Sequence, residues 1–197
     1  MSNRIGTETR KSRETEIAVE LNFDGTGRAV LNVDNGFFGH MLELLAFHGG
    51  LDLQVTASGD THVDDHHLIE DAGICIGRAL RTALGDRVGI ARYGSALVPM
   101  DEALAEVVLD LGGRPYLVFN GEFSREMMGD FSSEMVEEFF RAITVHGGIT
   151  LHINLRYGKN NHHIAEAIFK GFGQALRRAA ARNAALSTVA STKGILD

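Results

Sequence analysis

Two stretches of this chain carry His-His-x-x-Glu: His66-His67-Leu68-Ile69-Glu70 and His162-His163-Ile164-Ala165-Glu166. Each opens a run whose apolar spacing predicts a helix. Successive helical residues are rotated by about 100°, so His66 and Glu70 share one face while His67 points aside. The same holds for His162 and Glu166 against His163. One His-Glu pair suits one divalent ion, and the leftover histidine then serves a second. A lone His-His pair is usually a solvated surface feature. Two copies with identical internal spacing, each opening an apolar helix, point instead to a two-metal site. Imidazole and carboxylate without thiolate favour a borderline-to-hard ion such as Mn, Zn or Fe.

The elements that must position these residues read as a repeat. Residues 17–21 and 29–33 alternate apolar and polar about the turn Asp24-Gly25-Thr26-Gly27, which predicts a β-hairpin. Residues 37–47 have helical spacing and stop at Gly49-Gly50. Residues 51–55 read as a strand, 58–64 as a loop and 65–84 as a helix. The second half predicts strands at 92–98, 103–111 and 115–120, and a helix to His146 capped by Ser132-Ser133. A strand over 149–156, a loop over 157–161 and a helix over 162–182 follow, then coil from 187 to 197. Residues 123–131, with Met127-Met128, read as a loop with apolar anchors.

Superimposing His48-Gly49-Gly50 on His146-Gly147-Gly148 places His66 18 residues on in one half and His162 16 on in the other. His40 and Glu138 then lie equally far before the two helix stops. If His40 is a ligand, Glu138 occupies its equivalent place, and carboxylate can replace imidazole on such an ion. One ion would take His66, Glu70, His162 and Glu166. The other would take His67 and His163, completed by His40, with Glu138 as the further candidate. Four protein ligands leave an octahedral ion open positions for catalysis. Equivalent elements of a duplicated fold often lie at opposite ends, which leaves completion across subunits open.

Composition narrows the classes. A chain of 197 residues can hold one medium domain or two small fused ones. A formal charge of −7, with no basic block to track phosphates, argues against a nucleic-acid binder. No apolar run approaches the ~20 residues of a membrane span. Residues 1–13 are polar and basic without an apolar centre, so they do not read as a signal peptide. The single Cys75 excludes an intrachain disulfide and reads as a core residue, in keeping with a reducing compartment. The expectation is a soluble, cytoplasmic protein with neither nucleic acid nor membrane as partner.

Arg92, Arg114, Lys170 and Lys193 are scattered cations, each by itself more often a solvated charge than a ligand. Ser191-Thr192-Lys193-Gly194 could wrap an oxyanion with side-chain and backbone donors. Glu14 alone would be a surface charge. His48 and His146 follow apolar helices and fit helix C-termini, while His152 reads as a strand residue.

Taken together, several motifs resemble the imidazoleglycerol-phosphate dehydratase family. They are Gly39-His40-Met41-Leu42, Phe47-His48-Gly49-Gly50, Asp64-Asp65-His66-His67-x-x-Glu70-Asp71, Gly89-Ile90-Ala91-Arg92-Tyr93-Gly94, Pro99-Met100-Asp101-Glu102-Ala103, Gly158-x-Asn160-x-His162-His163-x-x-Glu166-Ala167-x-Phe169-Lys170 and Ser191-Thr192-Lys193-Gly194. They run in order over essentially the whole chain. The resemblance implies an α+β fold: an internally duplicated two-layer α/β sandwich like ribosomal protein S5 domain 2, with helices on one face of mixed sheets. The half-repeats would be residues 1–88 and 89–197, the latter including a C-terminal phosphate-binding segment.

The resemblance also implies a hydro-lyase of histidine biosynthesis. It would convert D-erythro-imidazole glycerol phosphate to imidazole acetol phosphate and water. Two Mn(II) ions per active site and a homo-oligomer of 24 subunits, with sites at subunit interfaces, come with it. By position the metal ligands are His40, His66, His67, Glu70, His162, His163 and Glu166. Many members carry His where this chain has Glu138, which the repeat makes a further ligand. Substrate contacts fall on Glu14, His40, His48, His66, Glu70, Arg92, Arg114, His162, Lys170, Ser191, Thr192 and Lys193.

The substrate proton to be lost is not next to a carbonyl, so enolate stabilisation is not open to it. An imidazole between two metal ions can instead become an imidazolate and expel the adjacent hydroxyl through a diazafulvene-like intermediate. Glu14 is the expected acid/base group, acting beside His66, Glu70, His162 and Glu166. Two rivals stand: a two-metal phosphohydrolase, which would release free phosphate, and a metal-storing shell, which has no use for Arg92, Arg114 and Lys193.

Overall fold

The computed structural model describes residues 4–196; Met1–Asn3, the start of the polar N-terminal stretch, and Asp197 lie outside the described residues. The first half runs β1 (Ile5–Lys11), β2 (Thr15–Asn22), β3 (Ala29–Val33), α1 (Gly36–Gly49), β4 (Asp52–Gly59) and α2 (His66–Leu84). The second runs β5 (Tyr93–Met100), β6 (Ala103–Asp110), β7 (Tyr116–Asn120), a small hairpin β8 (Met127–Met128) and β9 (Phe131–Ser132), α3 (Met135–Gly147), β10 (Thr150–Tyr157) and α4 (Asn161–Ala179). The sheets have orders β1-β2-β4-β3 and β5-β6-β10-β7, so one topology occurs twice.

The hairpin expected between residues 17–21 and 29–33 does not form. β3 pairs parallel with β4, and β4 lies antiparallel against β2, between the two. Alternation fixes which face of a strand is buried, not which strand lies beside it. Parallel neighbours need a crossover, and α1 supplies it. The hairpin partner of β2 is β1, antiparallel from Ile5↔Asn22 to Lys11↔Glu16, in a stretch whose polar side chains hide a strand. Ser132-Ser133 do not cap α3 either: its N-cap is Glu134, without a side-chain bond. The Ser132 and Ser133 amides serve Asp65 Oδ2 at 2.7 Å and the Glu126 carbonyl at 2.7 Å instead.

Each sheet buries one face. Ile17, Val19 and Leu21 on β2 and Ala105, Val107 and Leu109 on β6 point to the core, with exposed or half-buried residues between them. α2 covers β1 and β2, α4 covers β5 and β6, and the helix layers meet as α1 on α4 and α2 on α3. Phe139, Phe140, Phe169 and Phe172 are fully buried there, with ring centroids 4.9 to 5.3 Å apart in contacting pairs. Repeat-equivalent glycines permit equivalent close approaches. A Cβ on Gly6 would lie 1.9 Å from the Ala79 carbonyl oxygen, and one on Gly94 would lie 2.0 Å from that of Ala175. Cys75 is buried, and burial first of all pushes its thiol up to about 11. Among the described residues no helix is long and apolar enough to cross a membrane.

Candidate metal centre and substrate cleft

Both His-His-x-x-Glu motifs occupy a helix's first turns. Asn160 caps α4 by accepting the His162 amide at 3.0 Å. At α2 the cap is split: Asp64 Oδ1 takes the His66 amide at 2.9 Å, and Asp65 is turned to the β8–β9 hairpin.

Because α1 packs on α4, His40 falls beside the second motif. Its Nε2 lies 3.2 Å, and that of His162 2.9 Å, from Glu166 Oε1. One ligand atom from each of His40, His162 and Glu166 lies within 4.8 Å of the others. Two imidazoles and a carboxylate at that spacing fit a divalent ion of the Mn, Zn or Fe type. The partition expected from the sequence, which grouped His40 with His67 and His163, does not hold within one chain.

The remaining candidates are not gathered so closely. His66 Nε2 and Glu70 Oε2 are 3.9 Å apart across one turn of α2. Glu138, on the neighbouring α3, accepts from Arg141 Nε at 3.3 Å. Among the described residues no second trio of His, Cys, Asp or Glu converges like the first.

The outward histidines each have a carboxylate on Nδ1. His163 meets Glu102 Oε2 at 2.7 Å, and His67 meets both Asp60 oxygens at 3.2 Å. These hydrogen bonds raise the pKa of His163 and of His67 above the ordinary histidine value. They hold Nδ1 and so aim Nε2 outward, as metal-binding histidines require; the Nε2 of His163 lies 3.8 Å from Asp101 Oδ2. Glu102 also accepts the Asn160 and Lys159 amides; the His163 bond first, then these, hold its carboxyl at about 2.

Burial opposes ionisation of Glu166, but hydrogen bonds from Lys170, His40 and His162 outweigh it and hold its carboxyl at about 2. A depressed carboxylate contributes stability above its ordinary value of 4.5 and loses it as pH falls towards 2. The metal-free protein is therefore expected to lose up to about 3 kcal/mol from this group over that window. Glu166→Gln should flatten that part of a urea-unfolding series against pH.

Lys170 lies one turn beyond, its Nζ 2.5 Å from Glu166 Oε2. It therefore balances the candidate metal ligand before it can meet a substrate. His48 ends α1 beside a cleft lined by Gln174 and Arg177, and burial first of all lowers its pKa.

The Ser191–Lys193 segment, Arg92 and Arg114 line a cavity of about 280 Å³. Gly194, at φ 75°, closes a turn in which its amide meets the Ser191 carbonyl at 3.1 Å. Arg92 lies mainly in the wall. Its Nε and Nη2 donate to Asp110 at 2.7 and 2.9 Å, and Nη1 donates to the Ala190 carbonyl at 2.7 Å. It thus ties the C-terminal segment down. Arg114 is the exposed arginine of the cavity.

Glu14 stands at the β1–β2 turn, exposed, with no hydrogen bond or ion pair to its carboxylate among the described residues. The sequence reading missed Asp60 and Glu102. Aligning β2 with β6 through the repeat sets Glu14 on Glu102, a signal that was available.

Similarity to known proteins covers the whole molecule. The imidazoleglycerol-phosphate dehydratase family model matches residues 33–176. A Desulfitobacterium hafniense protein of that name is 57% identical over 187 residues, 95% of each chain. One from Clostridium acetobutylicum is 52% identical over 94% of each. The crystal structure of imidazoleglycerol-phosphate dehydratase from Staphylococcus aureus superimposes with a TM-score of 0.83 at 43% identity, over 91% of this chain and 99% of that one. IGPD from Pyrococcus furiosus, solved in complex with (S)-C348, gives 0.83 at 36% identity over 96% of this chain and 100% of that one.

Proposed function

Because this chain belongs to the imidazoleglycerol-phosphate dehydratase family, we propose that it dehydrates imidazole glycerol phosphate to imidazole acetol phosphate, as a hydro-lyase of histidine biosynthesis in the cytoplasm. The observation that carries the reading is the convergence of His40, His162 and Glu166 beside one His-His-x-x-Glu helix start, with a second such start on α2. His40, His162 and Glu166 would hold part of a pair of Mn(II) ions, with His66, His67, Glu70, His163 and Glu138 as the other ligands. When bound, the ions would supply Lewis acidity that lowers the pKa of a coordinated azole ring.

The chain's own groups do the rest. Glu14, on a fixed turn, gives the proton of its neutral carboxyl to the departing hydroxyl, and the carboxylate so formed removes the neighbouring C–H proton. Arg114, Ser191, Thr192 and Lys193 bind the phosphate ester in the cavity that Arg92 braces, with His48 and Lys170 as further substrate contacts. Two ligand sets on different helix pairs favour assembly across subunits, here a shell of 24.

The test is the product. Incubating the Mn(II)-loaded protein with imidazole glycerol phosphate should yield a ketone with its ester intact. Release of inorganic phosphate would favour a two-metal phosphohydrolase instead.

Glu102 supports a further expectation. Glu102→Gln keeps the shape but loses the charge-assisted bond to His163, so Mn(II) affinity should fall by about ten- to a hundredfold in calorimetry. Unchanged affinity would remove Glu102 as the orienting group.

A further inference from the structure

The two halves share a backbone but differ at one buried spot. In the first, Asp71 on α2 is 6% exposed and Thr15 on β2 is 4% exposed. Thr15 Oγ1 donates to Asp71 Oδ2 at 2.5 Å, and Arg10 Nε lies 2.7 Å from Asp71 Oδ1. The Arg10 N–H is not aimed at that oxygen, so this contact is an ion pair rather than an aligned hydrogen bond. Repeat alignment, by which Gly6 maps on Gly94 and His66 on His162, sets Arg10, Thr15 and Asp71 on Val98, Ala103 and Ala167. All three of these are buried and apolar. The fold is thus built once with an ionic network and once without it.

The difference coincides with a change of role at the next residue. Glu102, which follows Asp101 in the β5–β6 turn, is held by its own carboxylate, through His163 and the Lys159 and Asn160 amides. Its counterpart Glu14 has no such hold, and in the first half Asp60 serves the histidine instead. A free carboxylate must be placed by its backbone. The Glu14 and Thr15 amides both donate to Ser12 Oγ, at 3.1 and 3.0 Å. The Asp60 amide donates to the Glu14 carbonyl at 3.0 Å. The Thr15 hydroxyl then locks the turn to α2, one residue from Glu70. We propose that the Arg10–Thr15–Asp71 network is a positioning device for Glu14, which the fold itself does not need. This rests on the reading of Glu14 as the acid/base group.

The test uses the Mn(II)-loaded full chain. Thr15→Val removes the hydroxyl at constant shape and Thr15→Ser restores it. The triple variant Arg10→Val, Thr15→Ala, Asp71→Ala installs the second half's residues. Thr15→Val and the triple variant should keep their metal, their melting temperature within a few degrees and KM within about twofold, while kcat falls about ten- to a hundredfold. Thr15→Ser should stay within about threefold of the parent in kcat. A folded triple variant with parental kcat would overturn the proposal. So would an unfolded one, or a Thr15→Ser as slow as Thr15→Val. An inactive parent, or a fully active Glu14→Gln, would instead sink the underlying assignment of Glu14.

Discussion

Glu14→Gln is expected to lower kcat by about 10²- to 10⁴-fold, the usual contribution of a positioned general acid/base, while metal content and fold stay as they are. The side chain makes no hydrogen bond or ion pair among the described residues, and its charge acts on His67 only through space, so the substitution breaks no direct contact. The amide keeps the shape and can neither release nor accept the proton. KM should change little, because Glu14 is not among the residues of the cavity proposed for the phosphate, which Arg92, Arg114 and the Ser191–Lys193 turn line. Steady-state kinetics beside elemental analysis of the same sample checks this. Near-parental turnover would take Glu14 out of the mechanism.

The second large effect concerns the two helix starts. His162→Ala and His66→Ala should each abolish measurable turnover and lower bound Mn(II), although only His162 belongs to the trio that converges within one chain. His162→Ala leaves Glu166 paired with Lys170 at 2.5 Å, so the fold should survive. If sites are shared between subunits, co-assembling the two inactive variants will regenerate a fraction of intact sites. Recovery of activity in mixed assemblies, absent from either variant alone, is the expected result. No recovery would place each site inside one chain.

Much of this was legible in the residues. The repeat followed from two helix stops and two metal-type motifs, and the topology β1-β2-β4-β3 recurring as β5-β6-β10-β7 agrees with it. Strand neighbours were not legible: β3 and β7 look like hairpin partners of the strands before them, yet both run parallel to strands that come after a helix. β1 was hidden because an edge strand alternates weakly, with Gly6 alone fully buried in the pattern of Ile5–Lys11. The place of His40 beside the second motif was not legible for a related reason. Helical phase shows which residues share a face, but only the packing of α1 on α4 brings His40 to Glu166. The orienting carboxylates Asp60 and Glu102 sit in non-equivalent loops, so the repeat marks Glu102 only through its counterpart Glu14 and does not mark Asp60.

The most direct measurement is a titration of Mn(II) into metal-free protein, following formation of the ketone from imidazole glycerol phosphate. Activity should be absent without metal and rise to a plateau at two ions per chain, with the phosphate ester intact throughout. Full turnover by protein shown to hold no metal would contradict the account.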